Sequence, residues 1–149
     1  MLTDTLVLGG VLIREFLEGI KSELIAYMDS EDRNATGKSK ASIQVINVTN
    51  NSGQLVGASW IEYTFKGRPP GKMPPLNKIV DWCNARGLPR GVAWVIAKRI
   101  SEAGTKLWRS GRNIFDEIIT KEKIDQFSEN LARIYVVAIK SDIDNLMAA

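Results

Sequence analysis

The stretch of residues 65–75, with the sequence FKGRPPGKMPP, contains four of the five prolines in the chain and separates a strand-like pattern from a helix-like one. Proline fixes the backbone angle φ, has no N–H group to donate, and favours an extended conformation in the residue before it. The stretch therefore predicts a stiff, polyproline-like arm at about residues 66–75, with Met73 at its tip. A stiff basic arm suits docking onto a large partner better than it suits enclosing a small substrate.

Two different patterns precede the arm. Apolar residues at helical spacing predict one long amphipathic helix from about Thr5 to Met28. From residue 41 to residue 65 the sequence becomes β-branched and alternating, and the Asn-Asn-Ser-Gly cluster at residues 50–53 is typical of a hairpin turn. We therefore expect a β-hairpin or small antiparallel sheet, with one strand through Ile43 and Val45 and the other through residues 61–65.

The part of the chain after the arm is predicted to be helical. Helices are expected at about residues 76–86 and 91–103, each stopped by a glycine, while residues 105–113 are predicted to form a mobile loop. From about Thr120 the apolar residues predict a long C-terminal helix that ends near Leu146. The expected fold class is α+β, in a single domain over residues 1–149.

The net charge of +3 conceals a strong asymmetry along the chain. Residues 66–112 carry eleven Lys and Arg against two acids, a balance of +9, whereas the rest of the chain carries −6. A charge run is often only a solvated face, but this contrast favours a basic surface that meets DNA, RNA or an acidic protein. The candidate contacts to phosphates or to an acidic partner are Lys98, Arg99, Lys106, Arg109 and Arg112.

The sequence offers little for catalysis. With no histidine and a single cysteine, it predicts no zinc site, no internal disulfide and no Ser-His or Cys-His nucleophile. The carboxylates are scattered over the terminal helices, where they serve solubility and surface pairing. The Gly-Lys-Ser sequence of residues 37–39 is like the end of a phosphate-binding loop, but Asp32 stands where the first glycine should be. We expect no enzyme, no cofactor and no metal site, although a Ser-Lys pair within residues 38–42 stays open in principle.

The tryptophans and the apolar N-terminus give three further expectations. Trp82 and Trp94 fall within helical patterns and are predicted to be core or interface residues. Trp108 stands between two basic residues in a glycine-flanked segment, which makes it the tryptophan expected to touch a partner. The apolar run of residues 6–13 is too short to span a bilayer, so no membrane partner is expected.

Several pieces between about Thr36 and Ile119 coincide, in order and spacing, with one known family. The pieces are Thr36-Gly37 with Ser42-Ile43, Gly67-Arg68 with Pro70-Gly71-Lys72-Met73-Pro74-Pro75, Ile79 and Trp82 with Arg86-Gly87-Leu88, Ala97-Lys98-Arg99-Ile100, and Gly104-Thr105-Lys106 before Ile114-Phe115. In this succession the chain resembles the head-tail joining proteins of tailed bacteriophages, also called neck or tail-completion proteins. The resemblance covers somewhat over half of the chain, and the helix after Thr120 has no clear counterpart in it.

The resemblance implies a structural protein of the virion, made in the host cytoplasm and located at the junction of neck and tail. Copies would form a six- or twelve-fold ring between the portal and adaptor proteins and the tail proteins, without a catalytic site, and non-specific contact with genomic DNA is expected in the channel. The residues expected at the interface with a neighbouring subunit or connector protein are Arg68, Pro69, Pro70, Lys72, Met73 and Trp108. The alternative is a small basic nucleic-acid-binding protein that uses residues 66–112.

Overall fold

The computed structural model describes residues 2–33 and 36–149, with side chains from Asp4 onward. Eight helices and two strands are assigned within these residues. Their bounds are α1 Leu2–Ser30, α2 Lys38–Ser42, β1 Gln44–Ile46, β2 Gln54–Val56, α3 Ile61–Lys66, α4 Leu76–Ala85, α5 Val92–Ala103, α6 Lys106–Ser110, α7 Ile114–Ile118 and α8 Lys121–Ala148. The long N-terminal helix, the antiparallel hairpin and the helical C-terminal half confirm the predicted α+β class.

The chain divides into two compact units, each of which is discontinuous in sequence. The terminal unit consists of α1 up to Glu23, the hairpin Gln44–Val56, and Ile118–Ala149. The central unit consists of Leu24–Ile43 and Gly57–Glu117. The prediction of a single domain over residues 1–149 stays a prediction.

In the terminal unit, α1 and α8 run antiparallel. The rings of Phe16 and Phe127 stack with their centroids 4.3 Å apart, and the ammonium of Lys123 pairs with the carboxylate of Glu23. Further along, the hydroxyl of Tyr135 donates to the carbonyl of Asn50 at 2.8 Å. The two helices are antiparallel because increasing residue numbers on α1 face decreasing residue numbers on α8. The hydrogen bond of Tyr135 also joins the hairpin loop to α8.

The hairpin is shorter than predicted, and its second strand lies elsewhere. β1 and β2 pair antiparallel, with Val45 opposite Leu55, and the predicted turn residues 50–53 lie in the loop between them. Residues 61–65, predicted as a strand, form helix α3 instead. A turn in which Ile61 N–H donates to the carbonyl of Ala58 at 2.9 Å starts this helix. Tertiary packing overrides the β-branched pattern, because Phe65 is the residue of α3 that becomes fully buried.

Phe65 is the centre of an aromatic cluster in the central unit. Its side chain is fully buried, and its ring lies 4.9 Å from the ring of Phe115 and 5.9 Å from that of Tyr27. Such aromatic pairs contribute roughly 0.5–1.5 kcal/mol each beyond the area that they bury. The cluster therefore holds the end of α1, α3 and α7 together.

Helices α4 and α5 of the central unit pack directly on each other. Cys83 on α4 and Ala93 and Ala97 on α5 are all buried, and these small side chains let the two helices approach closely. Gly87 and Gly104 follow the two helices with φ of 67° and 70°, as expected of glycines that end helices. Both predicted helices are thus confirmed, with bounds one or two residues from those expected.

The predicted mobile loop at residues 105–113 contains a short helix, so that prediction is wrong. The hydroxyl of Thr105 accepts from the backbone N–H of Trp108 at 3.4 Å and caps the first turn of α6. Gly111, at φ of 70°, ends the helix one turn later. The capping threonine was the sequence signal for this helix, and Leu107 is its buried residue.

We expect Phe65→Ala to lower the free energy of unfolding by about 3–5 kcal/mol, because it removes a fully buried ring and leaves a cavity. The matched control is Val95→Ala on α5, whose side chain is 60% exposed; this change should cost less than about 0.5 kcal/mol. Urea denaturation followed by circular dichroism measures both values. Equal losses in the two variants would contradict the central position of Phe65.

Candidate interaction surface

The predicted arm is an ordered segment that lies along the central unit. Lys66 is the last residue of α3, so the segment without helix or strand runs over residues 67–75, hereafter the proline segment. The N–H of Gly71 donates to the carbonyl of Ser101 near the end of α5, at 2.8 Å. Pro74 is buried as well. The segment is therefore fixed along its length rather than joined only at its two ends.

Arg68 and Thr105 form the firmest attachment of the proline segment. The N–H of Arg68 donates to the hydroxyl of Thr105 at 2.9 Å, and the N–H of Thr105 donates to the carbonyl of Arg68 at 3.0 Å. The two residues before them, Gly67 and Gly104, have φ of 79° and 70°. A side chain at Gly67 would collide with the backbone N of Trp108, and one at Gly104 would come within 2.8 Å of the carbonyl oxygen of Arg68. Only glycine allows this approach of two backbones.

The side chains predicted to dock on a partner differ in their availability. The guanidinium of Arg68 donates to the carbonyl of Lys72 at 3.2 Å and lies 5.0 Å from the centre of the Tyr63 ring. Arg68 therefore stabilises the bend of the proline segment itself. The other predicted docking residues on the segment, Pro69, Pro70, Lys72 and Met73, face solvent. The side chain of Met73 is 38% exposed.

Of the five predicted basic contacts, two are engaged with acids of the central unit. Lys98 lies 3.9 Å from the carboxylate of Glu102 and over the ring of Trp94. Arg112 makes two hydrogen bonds, of 2.9 and 2.7 Å, to the carboxylate of Glu117. This charged pair lowers the pKa of Glu117 and raises the pKa of Arg112. Glu117 thus stays ionised at neutral pH and competes with any phosphate for Arg112.

The other three predicted basic contacts, Arg99, Lys106 and Arg109, are exposed. None of them has an ion-pair partner among residues 2–33 and 36–149. Trp108, 46% exposed, lies on the same short helix as Lys106 and Arg109. The structure therefore places the predicted partner-facing tryptophan on α6 together with two unneutralised cations.

Trp82 and Trp94 are surface residues, so the prediction that they belong to the core is wrong. They are 37% and 52% exposed, whereas the residues buried between α4 and α5 are small. Each ring is covered by a cation at 5.2 Å: Lys98 of α5 lies over Trp94, and Arg86, which directly follows α4, lies over Trp82. Their role at an interface stays a prediction.

Two surface features are not evident from the sequence patterns. The first is a cleft of about 530 Å³ at the N-terminal ends of α4 and α5, with Leu76, Val80 and Trp94 among its apolar lining and Asp81 at its edge. The second is a row of exposed apolar residues on α8, hereafter the α8 stripe. The stripe consists of Val136, Ile139, Ile143 and Leu146. Its spacing of three, four and three residues is like that of the buried and half-buried face of α8, which contains Phe127, Leu131, Ile134 and Ala138, so periodicity alone does not separate the two faces.

Ser39, which ends the Gly-Lys-Ser sequence of residues 37–39, and the nearby Ser42 have structural roles. The hydroxyl of Ser39 accepts from the indole N–H of Trp60 at 3.2 Å, and that of Ser42 accepts from the N–H of Ala58 at 3.2 Å.

Within the described residues, no group of three or more potential metal ligands comes together. Across the same residues, no helix combines the length and the apolar character needed to cross a membrane.

Comparisons with known proteins add no relative to this description. No family model matches the chain, and searches of curated proteins and of solved structures find no significant match. The geometry of the surface and the succession of residues along the chain are therefore the grounds on which a function can be proposed.

We expect Thr105→Val to release the proline segment, because the valine cannot accept the N–H of Arg68 or cap α6. The free energy of unfolding should fall by about 1–2 kcal/mol, and the amide of Arg68 should exchange faster with deuterium. Thr105→Ser, which keeps the hydroxyl, is the control and should retain most of the protection. An equally protected Arg68 amide in Thr105→Val would show that the attachment does not depend on this hydroxyl.

Proposed function

We propose that this protein is a structural subunit of the head-tail connector of a tailed bacteriophage. In this role, copies form a ring of the neck or tail-completion type, which joins the portal-connector complex to the tail and surrounds the DNA passage. The proposal takes the resemblance of residues 36–119 as its starting point. It assigns the chain no catalytic activity.

The main observation in support of the proposal is that the segments that resemble the family contact each other in the fold. Gly67-Arg68 and Gly104-Thr105 are 37 residues apart in sequence, yet Arg68 and Thr105 are joined by two reciprocal hydrogen bonds, one of them through the Thr105 hydroxyl. The Pro70-Gly71 piece is tied to the end of α5, directly after the Ala-Lys-Arg piece. The pieces of the resemblance thus lie together in the folded chain. Their contact supports the reading of the succession as one structural element.

The distribution of apolar side chains supports assembly with partners. Among the described residues, 21 large hydrophobic side chains are exposed, whereas 12 hydrophobic residues are buried. The terminal unit contributes Ile13, Ile20 and Ala138 to the buried set, while the α8 stripe faces solvent. An exposed apolar row along one helix face is the kind of surface at which proteins associate. In the proposed ring, the α8 stripe packs on other protein subunits of the neck.

The basic residues fit the same role. Arg99, Lys106 and Arg109 lie in the central unit and have no acid partner among the residues that the structure describes, so they are free to meet the phosphates of DNA in the channel or an acidic neighbouring ring. Such contacts to phosphate carry no base specificity. A connector that lets any genome sequence pass needs this kind of contact.

A nucleic-acid-binding protein outside the virion is the second candidate. It is favoured by the position of exposed Trp108 between Lys106 and Arg109, which would allow a base to stack on the indole while the cations contact phosphates. The two candidates differ in what they require. The first needs self-assembly, whereas the second needs strong binding to DNA or RNA that is lost as salt is added.

The proposed function predicts closed rings of the purified full-length chain. Native mass spectrometry should give one dominant stoichiometry, and negative-stain images should show a central channel in rings that persist between 50 and 500 mM salt, on the order of the range in which phosphate contacts are screened. A strict monomer whose affinity for a fluorescent 20-nucleotide DNA falls by roughly a hundredfold or more over that range would contradict the proposal and favour the second candidate.

We further expect Ile139→Glu to prevent ring formation without unfolding the chain. Ile139 is 55% exposed in the α8 stripe, so the carboxylate stays hydrated in the monomer but would be buried in the assembly. Ser128→Glu, at an exposed position of the same helix, is the control and should assemble normally. Mass photometry gives the assembled fraction and thermal unfolding tests the fold. Normal rings from Ile139→Glu would exclude the stripe as an interface.

A further inference from the structure

The central unit presents two surfaces whose apolar and charged groups can pair with each other. One is the outer face of the proline segment, where Lys72 and Met73 are exposed next to Pro69 and Pro70. Lys72 has no ion-pair partner among the residues that the structure describes. This face therefore offers an apolar thioether, proline rings and one unneutralised ammonium group.

The other surface is the cleft between α4 and α5. Leu76, Val80 and Trp94 supply much of its apolar wall, and its volume of about 530 Å³ is within the usual range for sites that enclose a small ligand. Asp81 lines the cleft and is one of only two acids in residues 66–112. Its carboxylate has no ion-pair partner in residues 2–33 and 36–149. The cleft thus combines an apolar floor with one carboxylate, that of Asp81, and one guanidinium, that of Arg90.

We propose that the proline segment of one copy binds in the α4–α5 cleft of another copy of this chain. Met73 enters the apolar part of the cleft beside Trp94, and the ammonium of Lys72 pairs with the carboxylate of Asp81. This inference rests on the proposed function in so far as that function supplies the second copy, and it specifies which surfaces of the two copies meet.

The chemistry of the two surfaces supports this pairing. Proline-rich segments are commonly recognised by grooves with exposed aromatic rings, because their proline rings and many of their carbonyls face outward. Trp94, 52% exposed, provides the aromatic ring. Arg90, which also lines the cleft, can donate to the carbonyls that such a segment leaves free. Apolar, aromatic and charged groups of the cleft thus each have a counterpart on the segment.

The attachment of the proline segment lowers the entropic cost of binding. Its backbone is already fixed by the bonds to Thr105 and Ser101. An ordered segment loses little conformational freedom when it docks, whereas a flexible one would lose about 1–2 kcal/mol for each residue that becomes fixed. The contact can therefore be strong although few residues take part in it.

The two surfaces are different patches of one copy, although they adjoin where Pro75 is followed by Leu76, which lines the cleft. The bend of the proline segment lies elsewhere, because Gly71 is held at Ser101, near the C-terminal end of α5, while the cleft lies beside Ala93 at the other end of that helix. Eight residues of helix separate the two places by about 12 Å. A contact that joins two different patches is heterologous, so repeated copies form a ring or an open chain rather than a closed two-fold dimer.

Charge reversal tests the pairing with three samples. Lys72→Asp alone and Asp81→Lys alone each place like charges opposite each other, and each should weaken self-association at least about tenfold. An equimolar mixture of the two variants should recover assembly, because each variant keeps one original surface and opposite charges meet at every contact. Sedimentation velocity measures the degree of self-association in all three samples. The control, Lys38→Asp, changes an exposed lysine outside both surfaces and should assemble like the wild type.

Cross-linking provides a second readout that does not require ring closure. In the full-length Met73→Cys/Val80→Cys variant, the two new thiols of different copies should form a disulfide under mild oxidation, while buried Cys83 stays reduced. Rings that survive both single charge reversals, or a failure to cross-link between copies, would overturn this inference and leave the proposed function standing. Cross-linked open chains without rings would support the inference and count against a ring subunit.

Discussion

The reciprocal hydrogen bonds between Arg68 and Thr105 are the constraint on which the central unit depends. They require left-handed glycines at positions 67 and 104, which end α3 and α5 respectively. The same threonine hydroxyl caps α6 and so sets the direction in which the basic helix starts. Two helix ends, one helix start and the course of the proline segment are thus determined by one pair of residues.

The contact between Arg68 and Thr105 explains why a glycine precedes each of these two residues. Gly-Arg and Gly-Thr are common dipeptides, and neither carries a signal on its own. Their meaning lies in a contact between residues far apart in the chain, which no local pattern reveals. The aromatic cluster around Phe65 completes the arrangement, because it holds α3 in place and thereby fixes the point from which the proline segment leaves.

An element could be predicted from the sequence where interactions between residues close in the chain determine it, and could not where contacts between distant residues do. The ends of α4, α5 and α8 could be predicted because glycines and a capping threonine act locally. Residues 61–65 were misassigned because their alternation suits a strand, while burial of Phe65 among distant aromatic residues selects a helix. Trp82 and Trp94 were misplaced for a related reason, since periodicity gives the face of a helix but not how closely two helices approach. The α4–α5 cleft depends on that approach and could not be foreseen.

The distribution of charge limits how copies of the chain can pack. The central unit carries a net charge of +6 and the terminal unit −3. Two central units in contact would repel each other, and because the Debye length is about 8 Å at physiological ionic strength, salt screens this repulsion poorly at short range. A contact between them is favourable only where a local acid offsets the excess of cations. From Lys66 to Ser101 the one acid is Asp81, and it lines the α4–α5 cleft together with Arg90. Within that stretch, the cleft is therefore the place where a second basic surface meets the least repulsion, because Asp81 offsets the charge of Arg90.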